Sequence, residues 1–146
     1  VEQHRAMVEI AGEHGLYHNI ECCIFSVTHE PENALRLVDA VPGLGLTLDY
    51  AHQIQLNLGH DDIEPLHKHA RHFQAKQSAP GEFQAKPDEG SIDFGRMIRK
   101  MKQDKFEGVI SVEFVSAPEV LEKGWDLKKE SARLKEILDE AIVAPA

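Results

Sequence analysis

Gly43-Leu44-Gly45-Leu46-Thr47-Leu48-Asp49-Tyr50-Ala51-His52 places leucine at every second position, then a carboxylate, then an imidazole three residues further on. Alternation with period two is the signature of a β-strand. An apolar strand that delivers Asp49 and His52 at its carboxyl end fits an α/β site, because ligands in such folds gather beyond the C-termini of parallel strands. The reading stands only if the chain holds sibling strands of the same kind.

It does. Leu16-Tyr17-His18-Asn19-Ile20-Glu21 reads as a strand ending in a carboxylate, and Gly108-Val109-Ile110-Ser111-Val112-Glu113-Phe114-Val115 as a stronger one. Arg71 to Gln77 is a less hydrophobic third candidate. Helical patterns separate them. Met7, Val8, Ile10 and Ala11 share a face within Glu2 to Glu13, with Gly15 as a stop. Pro31 opens a helix carrying Ala34, Leu35, Leu37 and Val38, closed by Pro42-Gly43. Asn57 to Asp62 is polar loop and Ile63 to His69 a short helix. Ile92, Met97, Ile98 and Met101 mark another helix, and Leu127, Leu134, Ile137, Leu138 and Ala141 a final one from about Trp125 to Ile142. Ser78 to Gly90, rich in Pro, Gly and charge, reads as a long loop, and loops of that length tend to carry function. Four recurring βα units predict an α/β fold with a parallel sheet and helical crossovers.

Composition sets the outer limits. At 146 residues the chain holds one domain with a real core rather than two. The 25 acidic and 16 basic residues give a net charge of −9, which argues against non-specific nucleic-acid binding. No apolar run reaches the length of a membrane span, so no membrane partner is expected. Cys22 and Cys23 are adjacent and poor partners for one another, which points to a reduced, cytoplasmic setting. Buried structural cysteine is the simplest account of the pair, and surface histidines on a polar helix the simplest account of His60, His67 and His69. Ser26 follows the first strand closely enough to be considered as a substrate contact, and Trp125 as an anchor for the last helix.

The strand ends supply Glu21, Asp49, the His72/Gln74 pair and Glu113. Converging oxygen ligands with one or two neutral donors suit a hard or borderline divalent cation such as Mg²⁺ or Mn²⁺. The stretches Ile20-Glu21, Val41 to His52, Ala70 to Gln77, Gly90-Ser91-Ile92-Asp93-Phe94 and Phe106 to Val115 together resemble the xylose isomerase-like (β/α)₈ superfamily of sugar-phosphate isomerases and epimerases, a group that includes endonuclease IV-like proteins. The resemblance implies the C-terminal half, strands five to eight, of a TIM barrel. Residues 1–146 then form one half-barrel of four βα units plus a terminal helix, with the N-terminal half absent from this chain. A closed barrel needs eight strands, so the expected partner is the missing half or another copy of the chain.

The same resemblance implies metal ligation by Glu21, Asp49, position 74 and Glu113. It also implies substrate contacts from His52, His72, Lys76 and Gln84, the last in a lid. The family's His-x-His on strand seven is here His72-Phe73-Gln74, so an amide stands where an imidazole ligates and His72 is the alternative ligand. The implied activity is that of a metal-dependent isomerase or epimerase on a sugar, sugar phosphate or keto-polyol. Glu21 and Glu113 would move the proton next to the carbonyl through an enediolate. Two alternatives share these residues: a lyase or dehydratase on a related polyol, and a catalytically degenerate half-barrel serving binding or assembly. Phosphodiester hydrolysis fits poorly, because Ser78 to Phe94 contains no histidine to extend a multi-zinc cluster.

Overall fold

The computed structural model describes residues 1–145. The alternating leucines form β2 (Gly45–Asp49), flanked by β1 (Asn19–Glu21) and β3 (Ala70–Ala75), with β6 (Val109–Val112) beyond β3. All three pairings are parallel. Parallel neighbours need crossovers, and these are supplied by α2 (Pro31–Ala40), by α3 (Tyr50–Ile54) with α4 (His60–Ile63), and by α5 (Phe94–Gln103). Helix α1 (Glu2–Glu13) precedes the sheet, while α6 (Pro118–Glu122) and α7 (Leu127–Val143) follow it. No helix among the described residues is long and apolar enough to cross a membrane.

The register divides the sheet into two unlike faces. Leu46 and Leu48 of β2, with Phe73 and Ala75 of β3, join one buried cluster with Val38, Met97, Ile98, Met101, Leu134 and Leu138 from the helices. Phe73 packs edge-on against both His67 and Phe106, with ring centroids 4.9 Å apart in each case. Residues between these point the other way. Thr47 pairs with His72, Asp49 with Gln74, and Gln74 with Ser111. One face is therefore core, and the other is a polar surface that carries the strand-end carboxylates.

The helix signals in the sequence act as read. Pro31 occupies the first turn of α2, while Asp93 and Asp126 accept backbone N–H bonds at the starts of α5 and α7. Gly43 has φ +90°, and a Cβ there would meet Val8 Cγ1 at 2.9 Å, so both conformation and close approach require glycine.

The fold departs from the sequence reading in several places. The strands are shorter than their hydrophobic runs, because residues such as Leu16, Tyr17, Phe114 and Val115 lie beyond the paired segments. Ser78 to Gly90 is not one long loop. Most of it is an antiparallel hairpin of β4 (Gln77–Ala79) and β5 (Glu82–Ala85), turning at Gly81 with φ +76°. Its remainder is tied to the Gln77 amide, which donates to the carbonyls of Pro87 and Ile92 and accepts from the N–H groups of Ser78 and Ile92. Asn57 to Asp62 is partly helical, and Glu64–His69 is a 3₁₀ turn. His67 is buried, with Nε2 2.6 Å from Tyr50 Oη, so it is a core residue and not a surface one. In α1 only Val8 packs on the core, while Met7 and Ile10 stay exposed.

Candidate active site

Four separate strands deliver their ends to one place because the sheet is parallel. Glu21 closes β1, Asp49 closes β2, Gln74 lies near the end of β3, and Glu113 follows directly on β6. The backbone N–H of Glu113 still donates to Ala75 O at 2.9 Å, so this glutamate is held in the ladder although it lies past the last paired residue.

Asp49 has two roles, one for each oxygen. Its Oδ1 accepts from the N–H of Ala51 at 3.0 Å and caps α3. Its Oδ2 accepts from the ammonium of Lys76, which follows β3 directly. Both side chains are essentially inaccessible, at 0% and 1% exposed. Burial pushes the Asp49 carboxyl up from its ordinary value, while Lys76, His52 and the Ala51 N–H pull it back. The Lys76 ammonium also stands 3.5 Å from Glu113 Oε2 and 4.4 Å from the centre of the Phe83 ring.

His52 comes one turn into α3, which swings its ring back over the strand ends. Its Nδ1 accepts from the backbone N–H of Ile24 at 3.4 Å. A backbone N–H only donates, so the proton of the neutral ring is assigned to Nε2, which then donates to Glu21 Oε1 at 3.0 Å. Burial lowers the His52 pKa, in keeping with a neutral imidazole. Its ring leans on Phe83 with centroids 4.8 Å apart. Burial raises the Glu21 pKa, the nearby Glu113 charge raises it further, and Lys76 partly offsets both.

The Gln74 amide donates from Nε2 to Glu113 Oε1 at 2.8 Å, which leaves its Oε1 buried without a hydrogen-bond partner. An unpartnered buried amide oxygen among carboxylates is the kind of atom that a hard cation can take as a ligand. One oxygen each of Glu21 and Asp49 and a ring nitrogen of His52 lie within 4.8 Å of one another, and Glu113 is not in that group. With its Nε2–H given to Glu21, His52 would have to give up that bond to ligate an ion. Carboxylate oxygens with an amide oxygen and an imidazole nearby suit a hard or borderline divalent cation. The Glu21 and Asp49 carboxylates fit such an ion by donor type, while the inclusion of Gln74 and Glu113 rests on the family resemblance.

The remaining residues singled out in the sequence lie apart from this cluster or spend their polar atoms elsewhere. His72 shares the polar face one pleat below Gln74, opposite Thr47 and Val109, and makes no hydrogen bond in the cluster. Gln84 is buried and clamps the backbone of Val115, donating to its carbonyl at 3.1 Å and accepting from its N–H at 2.7 Å. It ties the hairpin to the segment after β6. Ser26 spends its hydroxyl on the turn after β1, reaching Cys23 O and Thr28 Oγ1. Cys22 is buried, and burial pushes its thiol up to about 12, which rules it out as a thiolate nucleophile near neutral pH. Trp125 lies beneath the Lys123 ammonium, 4.9 Å from the ring centre.

Sequence reasoning missed Phe83, whose ring supports both His52 and Lys76. It sits in a Pro- and Gly-rich stretch with no periodicity to mark it. Gln53 was also missed. Its Nε2 donates to Cys22 O at 2.8 Å and fixes the chain just beyond Glu21.

A family profile described as "Xylose isomerase-like TIM barrel" matches residues 1–139. No curated protein matches the sequence. Among solved structures, a D-tagatose 3-epimerase-like protein is 25% identical with a TM-score of 0.62, over 90% of this chain and 52% of its own. D-allulose 3-epimerase from Methylomonas sp. is 16% identical with a TM-score of 0.70, over 94% of this chain and 52% of its own. L-ribulose 3-epimerase is 17% identical with a TM-score of 0.70, over 95% and 52%. The chain thus spans about half the length of the solved structures it matches. The latter two likenesses bear on fold alone.

Proposed function

The chain belongs to the xylose isomerase-like TIM barrel family, and from that premise we propose that it supplies the proton-moving, cation-binding half of a sugar isomerase or epimerase. The observation that carries this reading is the continuous set of contacts among the strand ends. Glu21 meets His52, His52 approaches Asp49, Asp49 holds Lys76, and Lys76 faces Glu113, which Gln74 bonds in turn. The epimerases among the structural neighbours support the same class of substrate, a ketose or related polyol.

Glu21, Asp49, Gln74 and Glu113 are the residues proposed to hold a divalent cation, Mn²⁺ or Mg²⁺ by donor type. Such an ion supplies Lewis-acid stabilisation of negative charge on neighbouring carbonyl and hydroxyl oxygens. The rest of the work falls to this chain's side chains. Glu113 takes the proton from the carbon next to the substrate carbonyl. Glu21, whose pKa is raised by burial and by Glu113, is the carboxyl suited to carry a proton and return one. His52 is a positioning residue, because its Nε2–H holds Glu21 in a fixed orientation. Lys76 and His72 lie on the polar face where substrate hydroxyls would be bound.

The test is proton exchange at the substrate's α-carbon, followed in D₂O with the complete barrel and a ketose. Glu113→Gln keeps the shape and the contact to Gln74 but removes the base. Its exchange should fall by about two to four orders of magnitude, and exchange at the unsubstituted rate would remove Glu113 from the role. Binding without catalysis is the second reading, favoured by one observation, the lysine ammonium seated on the buried aspartate. A complete protein that binds no divalent ion and exchanges no proton would decide for it.

A further inference from the structure

Asp49 offers a cation only one oxygen. Its Oδ1 is committed to the Ala51 N–H at the start of α3, and its Oδ2 already carries the Lys76 ammonium. An ammonium and a divalent ion compete for one buried carboxylate oxygen, since two positive charges at contact distance in a poorly screened interior repel strongly. We propose that Lys76 is a built-in competitor for the cation site, so that a divalent ion entering at Asp49 displaces the Lys76 ammonium from its buried seat toward the open polar face.

The proposal rests on the cation-site reading given above and adds a regulator to it. Three features of the structure carry it. Lys76 and Asp49 are both inaccessible when paired, so the ammonium sits inside the site and not at its rim. Glu113 Oε2, a second proposed ligand, lies 3.5 Å from the same ammonium, so Lys76 faces two of the oxygens that the ion would need. The Phe83 ring lies 4.4 Å from the ammonium and adds a cation–π attraction to its seat, so the competitor is held by more than the carboxylate. The flexible four-carbon stem of lysine permits the move, which a planar guanidinium would make less readily. Gln74 in place of an imidazole leaves the ion with a weaker donor, so the ammonium has a real contest to win. The consequence is a site whose affinity is set low by its own side chain.

The test compares Mn²⁺ binding by calorimetry in the complete protein and in Lys76→Met, a substitution of similar length and no charge. Removing the competitor should tighten Mn²⁺ binding at least tenfold. Equal or weaker binding in Lys76→Met, with measurable binding in the unsubstituted protein, overturns the competition and leaves the cation site standing. No binding in either protein overturns both. A second measurement needs no substitution and so does not depend on the variant folding. Acylation of Lys76 by an amine-reactive reagent, read by peptide mass spectrometry, should accelerate several-fold at saturating Mn²⁺ as the ammonium leaves its buried seat. An unchanged rate overturns the displacement.

Discussion

His67 follows the elementary rule for a buried imidazole. It is 4% exposed, with Nε2 2.6 Å from Tyr50 Oη and Nδ1 3.7 Å from Asp104 Oδ2. Burial is the main cause that lowers its pKa to about 4, against the opposing pull of Asp104. The unfolded chain takes up a proton near pH 6.5 while the folded one resists until about pH 4, so the unfolded state binds more protons across that window. Stability from this residue is therefore full above about pH 6.5 and is lost as the pH falls toward 4, by about 3 kcal/mol at most. In urea unfolding at stepped pH, His67→Gln should be less stable than the native sequence at pH 7, with the gap narrowing on acidification. A gap that stays constant would mean that the ring does not titrate in this way. Residue identity was legible in part. Glu21, Asp49 and Glu113 stood at the ends of hydrophobic runs, so their positions followed from strand direction alone. The depth of Lys76 and His67 was not legible, because each depends on what other elements lay over it. A lysine one residue past a strand reads as solvated until Phe83 and Asp49 are seen on either side.

At the scale of elements, the helices and the parallel order were readable because apolar spacing and capping residues agree, and local agreement of that kind makes a sequence specify its fold. The hairpin was not. β4 and β5 are short, flanked by Pro80 and Pro87, and hold few of the branched residues that mark strands. Its order comes instead from one buried side chain. Gln77 makes four hydrogen bonds across the segment to Ile92, and a Cβ on Gly90 would lie 2.3 Å from Gln77 Cγ. Gln77→Ala should orphan several buried backbone groups and cost about 1–3 kcal/mol. Hydrogen exchange should also speed up at Ile92 and Ser78 while the β2 and β3 amides stay protected. Loss of protection throughout the sheet would show that the segment is part of the global core. The hairpin matters to function because it carries Phe83 against His52 and Lys76.

At the scale of the whole molecule, the sheet stops at β1 on one side and β6 on the other, and among the described residues no further strand pairs with either edge. Open parallel edges present unpaired backbone donors and acceptors, which invite another chain to pair with them. The face opposite the helices is polar, carrying Asn19, Thr47, His72 and Ser111, yet its borders are not: Tyr17 is 75% and Val109 is 64% exposed. A sheet of this form is one half of what a closed eight-stranded barrel requires, in line with the half-length match to the solved epimerases. Residues 1–146 prepared alone should therefore self-associate, with a sedimentation coefficient that rises with concentration. Added salt should strengthen the association, because a net charge of −9 on each copy opposes it. Val109→Lys places a charge on the exposed border of β6 and should shift the distribution toward single chains, since charged residues at an edge discourage pairing. Sedimentation that is independent of concentration and indifferent to Val109→Lys would mean that these edges attract nothing. The barrel would then have to be completed, if at all, by some other surface.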